Sequence, residues 1–323
     1  MRIVKPSAEV MKHDLHPYEF IEKVGRTCYK SEDSITEGSA ERFVGSLVKR
    51  EHMAMLEHEH LYYVLSDKLM NEFLYDMDSV NERLEFFKIT HEETYNILSG
   101  SFRSFYDLFK KGYNFKSVNI IKESLQLNFP LVFGQTNSNT PWDAGDSIVW
   151  YSRETFIDRL SHRPDILFKH LVHTFKFVTD RGVTHEFVRH RPASFAQEST
   201  RYCNYCKDKF GNEITVIEPC FWGVGSTIEL YKTWFDQCFE AEKSYFKLID
   251  LGATPQQART VLPNSLKTEL IITATESEWQ HIVNLRYLGT TGAPHPQIKE
   301  VMGLALADII IESKGRITAD GRK

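Results

Sequence analysis

At 323 residues, with 41% hydrophobic, 13% aromatic and 26% charged side chains, the chain has the make-up of a globular protein with room for a sizeable core. Thirty-nine basic against 44 acidic residues leave a formal net charge of −5, which excludes a global positive field of the kind that recruits nucleic acid. The opening MRIVKPSAEVMKHDLH has no apolar leader, no stretch approaches a membrane span, and five irregularly spaced cysteines build no disulfide framework. A reduced, cytoplasmic protein is expected.

RIVKP (2–6) reads as a short strand, and HPYEFIEKVGRTCYKS (16–31) and GSAERFVGSLVKR (38–50) as amphipathic helices. LYYVLS (61–66) is apolar and aromatic enough for a strand. Residues 67–165 mix helical patches such as FRSFYDLFKKG (102–112) with a polar loop, GQTNSNTPWDAGDS (134–147). HTFKFV (173–178) alternates like a strand, and TDRGVTHEFVRH (179–190) predicts a helix opening at Thr179 or Asp180. Pro192 restricts Arg191 to extended geometry, which predicts a helix end near His190 and an irregular segment, SFAQESTRY, over 194–202. EITVIEPCFW (213–222) is strand-like, and residues 226–252 form a long amphipathic helix stopped at Gly252. Thr254 and Pro255 suit the N-cap and first position of a helix that carries Arg259 and ends by Pro263. SEWQ (277–280) fits a capping box with Ser277 at the cap. On that helix Trp279, Ile282, Val283 and Arg286 are spaced i, i+3, i+4, i+7, so an arginine stands at the head of an apolar stripe. A buried guanidinium needs an anionic or acceptor-rich partner, either a structural carboxylate or a ligand.

RHRPASFAQESTRY (189–202) concentrates three arginines, a histidine, a carboxylate, two serines and a tyrosine. Four readings compete: a solvated charge run, a nucleic-acid contact, a metal site, and a cradle for a phosphorylated ligand. HEFVRH is not a zincin helix, because His185 and His190 stand five apart and the second is rotated roughly 140° from the first. Cys203-x2-Cys206 with Cys220 offers three thiols and no second CxxC, a weak zinc pattern. Ser194 and Ser199 lack a nucleophile elbow. Arg189, Arg191, Ser199 and Arg201 supply the forks and hydroxyls that hold phosphate, without a GxGxxG or P-loop. Against that stands a solvated pair of Glu186 and Arg189 at i, i+3.

RHR followed after seven residues by Ser, within RHRxxSxxxxSxRY, resembles the signature of the flavin-dependent thymidylate synthase family. HMAMLEH (52–58), ARTVLP (258–263), NLR (284–286) and HPQI (295–298) resemble further blocks of that family in the same order. The resemblance implies an α+β fold, with a central, mostly antiparallel sheet flanked by helices. It implies a single domain over 1–323 that carries an atypical insertion at 67–165. It implies a cytoplasmic homotetramer with active sites at subunit interfaces. Such an enzyme methylates dUMP to dTMP with methylenetetrahydrofolate and NADPH through FAD.

Carried over by position, the resemblance implies flavin contacts at Arg189, His190, Arg191, Gln197, His281, His52, Ala54, Thr275 and Ser277. It implies dUMP contacts at Glu186, Arg189, Gln197, Glu198, Ser199, Thr200, Arg201, Tyr202, Arg259 and Arg286, with Arg286 the catalytic residue on the pyrimidine. No metal is implied. The chain departs from the pattern at Glu186, where some members carry Gln, and at Ala54, which replaces a hydroxyl residue. Thr275 and Ser277 stand in for longer polar groups.

Overall fold

The computed structural model describes residues 1–136, 140–206, 211–222 and 228–320. Its strands are β1 (Arg2–Val4), β2 (Ser7–Met11), β3 (His60–Leu65), β4 (Phe87–His91), β5 (Asn96–Ser101), β6 (Ile148–Tyr151), β7 (Val172–Asp180), β8 (Ser194–Gln197), β9 (Thr215–Ile217) and β10 (Lys267–Thr275). The chain divides into two compact units. The first comprises residues 1–12, 25–33 and 173–323, and the second residues 13–24 and 34–172. No helix among the described residues is long and apolar enough to cross a membrane.

The first unit holds a four-stranded sheet in the order β2-β7-β10-β8, antiparallel between β2 and β7 and between β10 and β8. A separate parallel pair joins β1 to β9. Strand β10 reads KTELIITAT and is buried almost throughout, so its apolar run is the spine of this unit. The indole of Trp279 meets Phe175 edge-on at 4.9 Å, and its N–H donates to the carbonyl of His173 at 2.9 Å. Satisfying that one polar atom lets the indole be fully buried. The helix Pro296–Glu312 packs against β2 and buries Ile298, Val301, Met302, Ala305 and Ile309, one stripe at helical spacing.

The second unit is built on an antiparallel sheet in the order β4-β5-β3-β6. Its core joins Val44 and Leu47 of the helix Ser39–Lys49 to Tyr63, Phe73, Phe102, Phe105 and Leu125. Residues 67–165 therefore do not pack apart from what precedes them. They share one core with residues 34–66.

Sequence reading and structure part at four places. SFAQ is strand β8, not irregular chain, because its backbone pairs with Leu270–Thr273 at the sheet edge. The helix that opens after Asp180 ends at Phe187 rather than near His190, with a turn over residues 188–189. The cap of the helix Glu276–Val283 is Thr275, whose hydroxyl accepts from the Glu278 N–H at 3.4 Å. Ser277 is already inside the first turn. The helix opened by Pro255 ends at Ala258, and Arg259 begins a 3₁₀ turn, Arg259–Val261. Elsewhere the long helix runs Ile228–Asp250 and stops before Gly252, whose φ of 93° suits glycine. Residues 137–139 of the polar loop and 226–227 ahead of the long helix lie outside the described residues.

Candidate functional site

The RHR segment is placed by a well-capped short helix. Asp180 accepts from the Val183 N–H at 2.8 Å, and its second oxygen accepts from Gln297 at 2.9 Å, so both carboxylate oxygens of this buried side chain are used. Burial pushes the Asp180 carboxyl above the usual range, while hydrogen bonds from the Val183 and Gly182 amides oppose that shift. Beyond the helix, burial alternates: Arg189 and Arg191 are exposed, and His190 between them is 4% exposed. Neither guanidinium makes an ion pair or hydrogen bond among the described residues. The alternative of a solvated Glu186–Arg189 pair is not found in that set, and Glu186 faces Arg286 instead.

His190 is the centre of a chain of contacts. Its Nδ1 lies 3.2 Å from Glu278 Oε1, and its Nε2 accepts from Arg286 Nε at 3.1 Å. Arg286 continues to Glu186, donating from Nη1 to Oε2 at 3.1 Å and from Nη2 to the backbone carbonyl at 2.9 Å. His281, exposed, stands edge-on to His190 with ring centroids 5.5 Å apart. Arg286 was expected at the head of the buried stripe, yet its side chain is 19% exposed. The reason is local: Asn284–Leu288 is a π-helical turn, which widens the helix and carries Arg286 off the line of Trp279, Ile282 and Val283. His190, Glu278 and His281 also offer three ligand atoms within 4.8 Å of one another. Both nitrogens of His190 are engaged, one by a permanently charged guanidinium, so a cation there would meet Arg286 head-on. The geometry is that of a hydrogen-bonded relay.

The ESTR segment follows β8 and is anchored from behind. Gln197, opposite Leu270 in the sheet, donates to the hydroxyls of Thr184 and Thr268 at 3.1 and 3.3 Å. Glu198 is buried; its amide donates to the Glu269 carbonyl and its carboxylate meets Lys267 at 3.0 Å. Glu269 collects Lys267 at 2.6 Å, Lys30 at 2.7 Å and Lys176 at 3.1 Å. Burial works to raise the Glu269 carboxyl, but the charges and hydrogen bonds of Lys267 and Lys30 overcome it and hold it at about 2. The Ser199 amide donates to the Cys28 carbonyl at 3.0 Å, and its hydroxyl accepts from the Arg201 amide at 3.3 Å. Arg259 reaches the Thr200 hydroxyl at 3.3 Å. What this buttress leaves outward is the Arg201 guanidinium and the ring of Tyr202, which leans on Tyr29 at 5.3 Å.

The sequence-derived residues thus fall into three sets. Glu186, His190, His281 and Arg286 form one connected group, and Gln197 to Tyr202 with Arg259 form another. The hydroxyls of Thr275 and Ser277 lie 3.0 Å apart, and that of Thr275 serves as helix cap. His52 and Ala54 are exposed residues of the second unit. Sequence reasoning missed Glu278 and the lysine–glutamate buttress. Both had signals: Thr275-x-x-Glu278 is a capping pattern, and Lys267 and Glu269, two apart on a strand, share one face.

The edge strand β8 leads into a segment of exposed arginines without carboxylate partners among the described residues, in the same unit as the histidine–arginine relay, a donor set suited to an anion. The chain belongs to the family described as thymidylate synthase complementing protein, Thy1, whose profile matches residues 135–310. HMAMLEH (52–58) lies outside that span. The chain is 30% identical over 128 residues to the flavin-dependent thymidylate synthase of Pyrococcus furiosus, covering 39% of this chain and 51% of that protein. It is 34% identical over 107 residues to the enzyme of the same name from Geobacter sulfurreducens, covering 33% and 43%. The chain therefore spans about half the length of the curated relatives it matches. A crystal structure of a UMP/dUMP methylase from Streptomyces cacaoi bound with 5-Br dUMP covers 98% of this chain and 99% of its own. The TM-score is 0.39 at 15% identity.

Proposed function

We propose that this protein is a flavin-dependent thymidylate synthase, which methylates dUMP to dTMP with methylenetetrahydrofolate as carbon donor and NADPH as reductant through FAD. The observation that carries this reading is the set of three exposed guanidiniums without carboxylate partners among the described residues, Arg189, Arg191 and Arg201, in a chain of net charge −5. An acidic protein that leaves three arginines of one segment unpaired has kept them for an anion brought from outside.

The donor set fits a flavin dinucleotide in part. Arg189 and Arg191 suit its diphosphate, and exposed His281 suits a polar edge of the cofactor. Ala54 has no hydroxyl to give, and Thr275 and Ser277 are engaged with each other. When bound, the flavin supplies the hydride chemistry. The chain's own residues do the rest. Arg201 and the Ser199–Thr200 hydroxyls hold the nucleotide phosphate, with Arg259 steadied on Thr200. Arg286 turns its remaining donors to the pyrimidine edge and favours negative charge on the ring, which raises the nucleophilicity of C5. No cysteine is needed for attack. Of the five, Cys28, Cys203 and Cys238 are buried, and burial pushes the Cys28 thiol up to about 11. We place the enzyme in the cytoplasm as a homotetramer with sites completed across subunits.

The test is the absorption spectrum of the purified protein. Flavin bands, bleached by NADPH and perturbed by dUMP, support the reading; a colourless protein that takes up no FAD refutes it.

A further inference from the structure

We infer that Glu278 is a positioning residue. Its carboxylate holds His190 as the neutral tautomer protonated at Nδ1, and His190 in turn aims the Arg286 guanidinium. The inference rests on the proposed role of Arg286 only in its functional consequence; the tautomer follows from geometry alone.

Arg286 Nε carries a proton at every accessible pH, so its 3.1 Å contact with His190 Nε2 requires a lone pair on that nitrogen. The single ring proton of a neutral imidazole is then on Nδ1. Nδ1 lies 3.2 Å from Glu278 Oε1, and an ionised carboxylate oxygen only accepts. The two contacts, made by residues eight apart on one helical segment, demand the same tautomer. An imidazolium would set an N–H against the Arg286 N–H, and the other neutral tautomer would do the same while facing a bare Nδ1 towards a carboxylate. His190 is buried, so water offers no substitute partner.

Glu278 is itself held firmly. Its amide is bonded to the cap hydroxyl of Thr275, and the next residue is the fully buried Trp279. The carboxylate is thus carried by a capped helix whose Trp279, Ile282 and Val283 are fully buried, which is what a residue that orients others requires. Among the described residues, the other charged or titratable groups in contact with the pair are His281, edge-on to His190, and Glu186 on the far side of Arg286. With Glu186 pulling on Nη1 and Nη2 and His190 on Nε, the guanidinium is gripped at both ends. Removing Glu278 frees His190 to flip tautomer and to release Arg286 Nε.

Two measurements on the full-length protein decide the matter. Solid-state NMR of protein labelled with ¹⁵N-histidine and ¹⁵N-arginine reads the tautomer without any substrate, from the histidine ring in through-space contact with an arginine Nε. A protonated Nδ1 and bare Nε2 are expected; a protonated Nε2 overturns the inference whatever the protein binds. Calorimetric dUMP affinity then forms a double-mutant cycle. Glu278→Ala is expected to weaken dUMP binding about tenfold in the native background and less than about twofold in Arg286→Ala, where the phosphate still anchors the nucleotide. Glu278→Gln, which keeps an acceptor oxygen, recovers most of the loss. Equal losses in both backgrounds overturn the positioning role. Absence of dUMP binding by the unaltered protein instead overturns the proposed function and leaves the tautomer result standing.

Discussion

Arg286 and Glu186 form an ion pair at 3.1 Å, and the same guanidinium also donates to the Glu186 backbone carbonyl at 2.9 Å. With the bond to His190, three of the five N–H donors of Arg286 are in use, and two are left for a ligand. The sequence left two partners open for this arginine, a structural carboxylate or a ligand. The structure supplies the carboxylate and still leaves room for the ligand, because the pair is partly open to solvent at 19% and 27% exposure.

A half-open pair of this kind contributes little stability, about 0.2–1 kcal/mol. Arg286→Ala also strands the buried Nε2 of His190, so it is predicted to lower stability by about 1–3 kcal/mol, mostly from that acceptor. If the guanidinium stabilises charge on the pyrimidine, the same change removes about 2.7–4 kcal/mol of transition-state stabilisation. Arg286→Lys rescues little, since a point charge cannot span two acceptors of a ring edge. Steady-state kinetics beside a thermal melt gives the answer. A variant that melts early but turns over normally per folded molecule returns Arg286 to a structural role.

If the nucleotide takes the free donors of Arg286, Glu186 competes with it for that guanidinium. Glu186→Gln removes the competing charge and is predicted to tighten dUMP binding by about 1.5–5-fold, the equivalent of about 0.2–1 kcal/mol. Weaker binding in this variant, measured by calorimetry, indicates that the carboxylate itself contacts the ligand.

If the arginines of the ESTR and RHR segments hold phosphate, dUMP binds far more tightly than deoxyuridine, and the difference shrinks as salt rises. Titrations at low and high ionic strength check this. Nucleoside and nucleotide binding alike rule out the phosphate anchor.

Glu269 makes stability depend on acid. Its folded value of about 2 lies below the unfolded 4.5, so its contribution is fully present above pH 4.5 and is lost as pH falls towards 2. The difference corresponds to roughly 3 kcal/mol at 1.36 kcal/mol per unit. Glu269→Gln, which leaves Lys30 to Glu32, Lys176 to Glu9 and Lys267 to Glu198, is predicted to cost about 1.5–3 kcal/mol at neutral pH and to flatten the urea midpoint between pH 4.5 and 2. An unchanged acid profile removes Glu269 as the keystone of the buttress.

Much of the fold was legible where one period dominates. The Trp279, Ile282, Val283 stripe and the apolar run of β10 are buried as their spacing predicts. The candidate site was legible as composition: RHR and ESTR lie close in the sequence, and the structure leaves Arg189, Arg191 and Arg201 exposed. What did not show was direction. Glu198 looks like a surface carboxylate in the sequence, yet the strand pairing of SFAQ turns it inward onto Lys267, sixty-nine residues away. The π-helical turn at Asn284–Leu288 left no mark either, since its residues continue the helical pattern without a break. Glu278 was read only as part of a helix start; its contact with His190 depends on where two distant segments cross.

The central claim, that this chain methylates the pyrimidine of dUMP, is tested most directly by release of tritium from C5-labelled dUMP. The purified protein is supplied with FAD, methylenetetrahydrofolate and NADPH. Release that matches dTMP formed, needs all three additions and falls by about 100-fold or more in Arg286→Ala is the predicted result. A flavin-loaded protein that binds dUMP yet releases no tritium contradicts it.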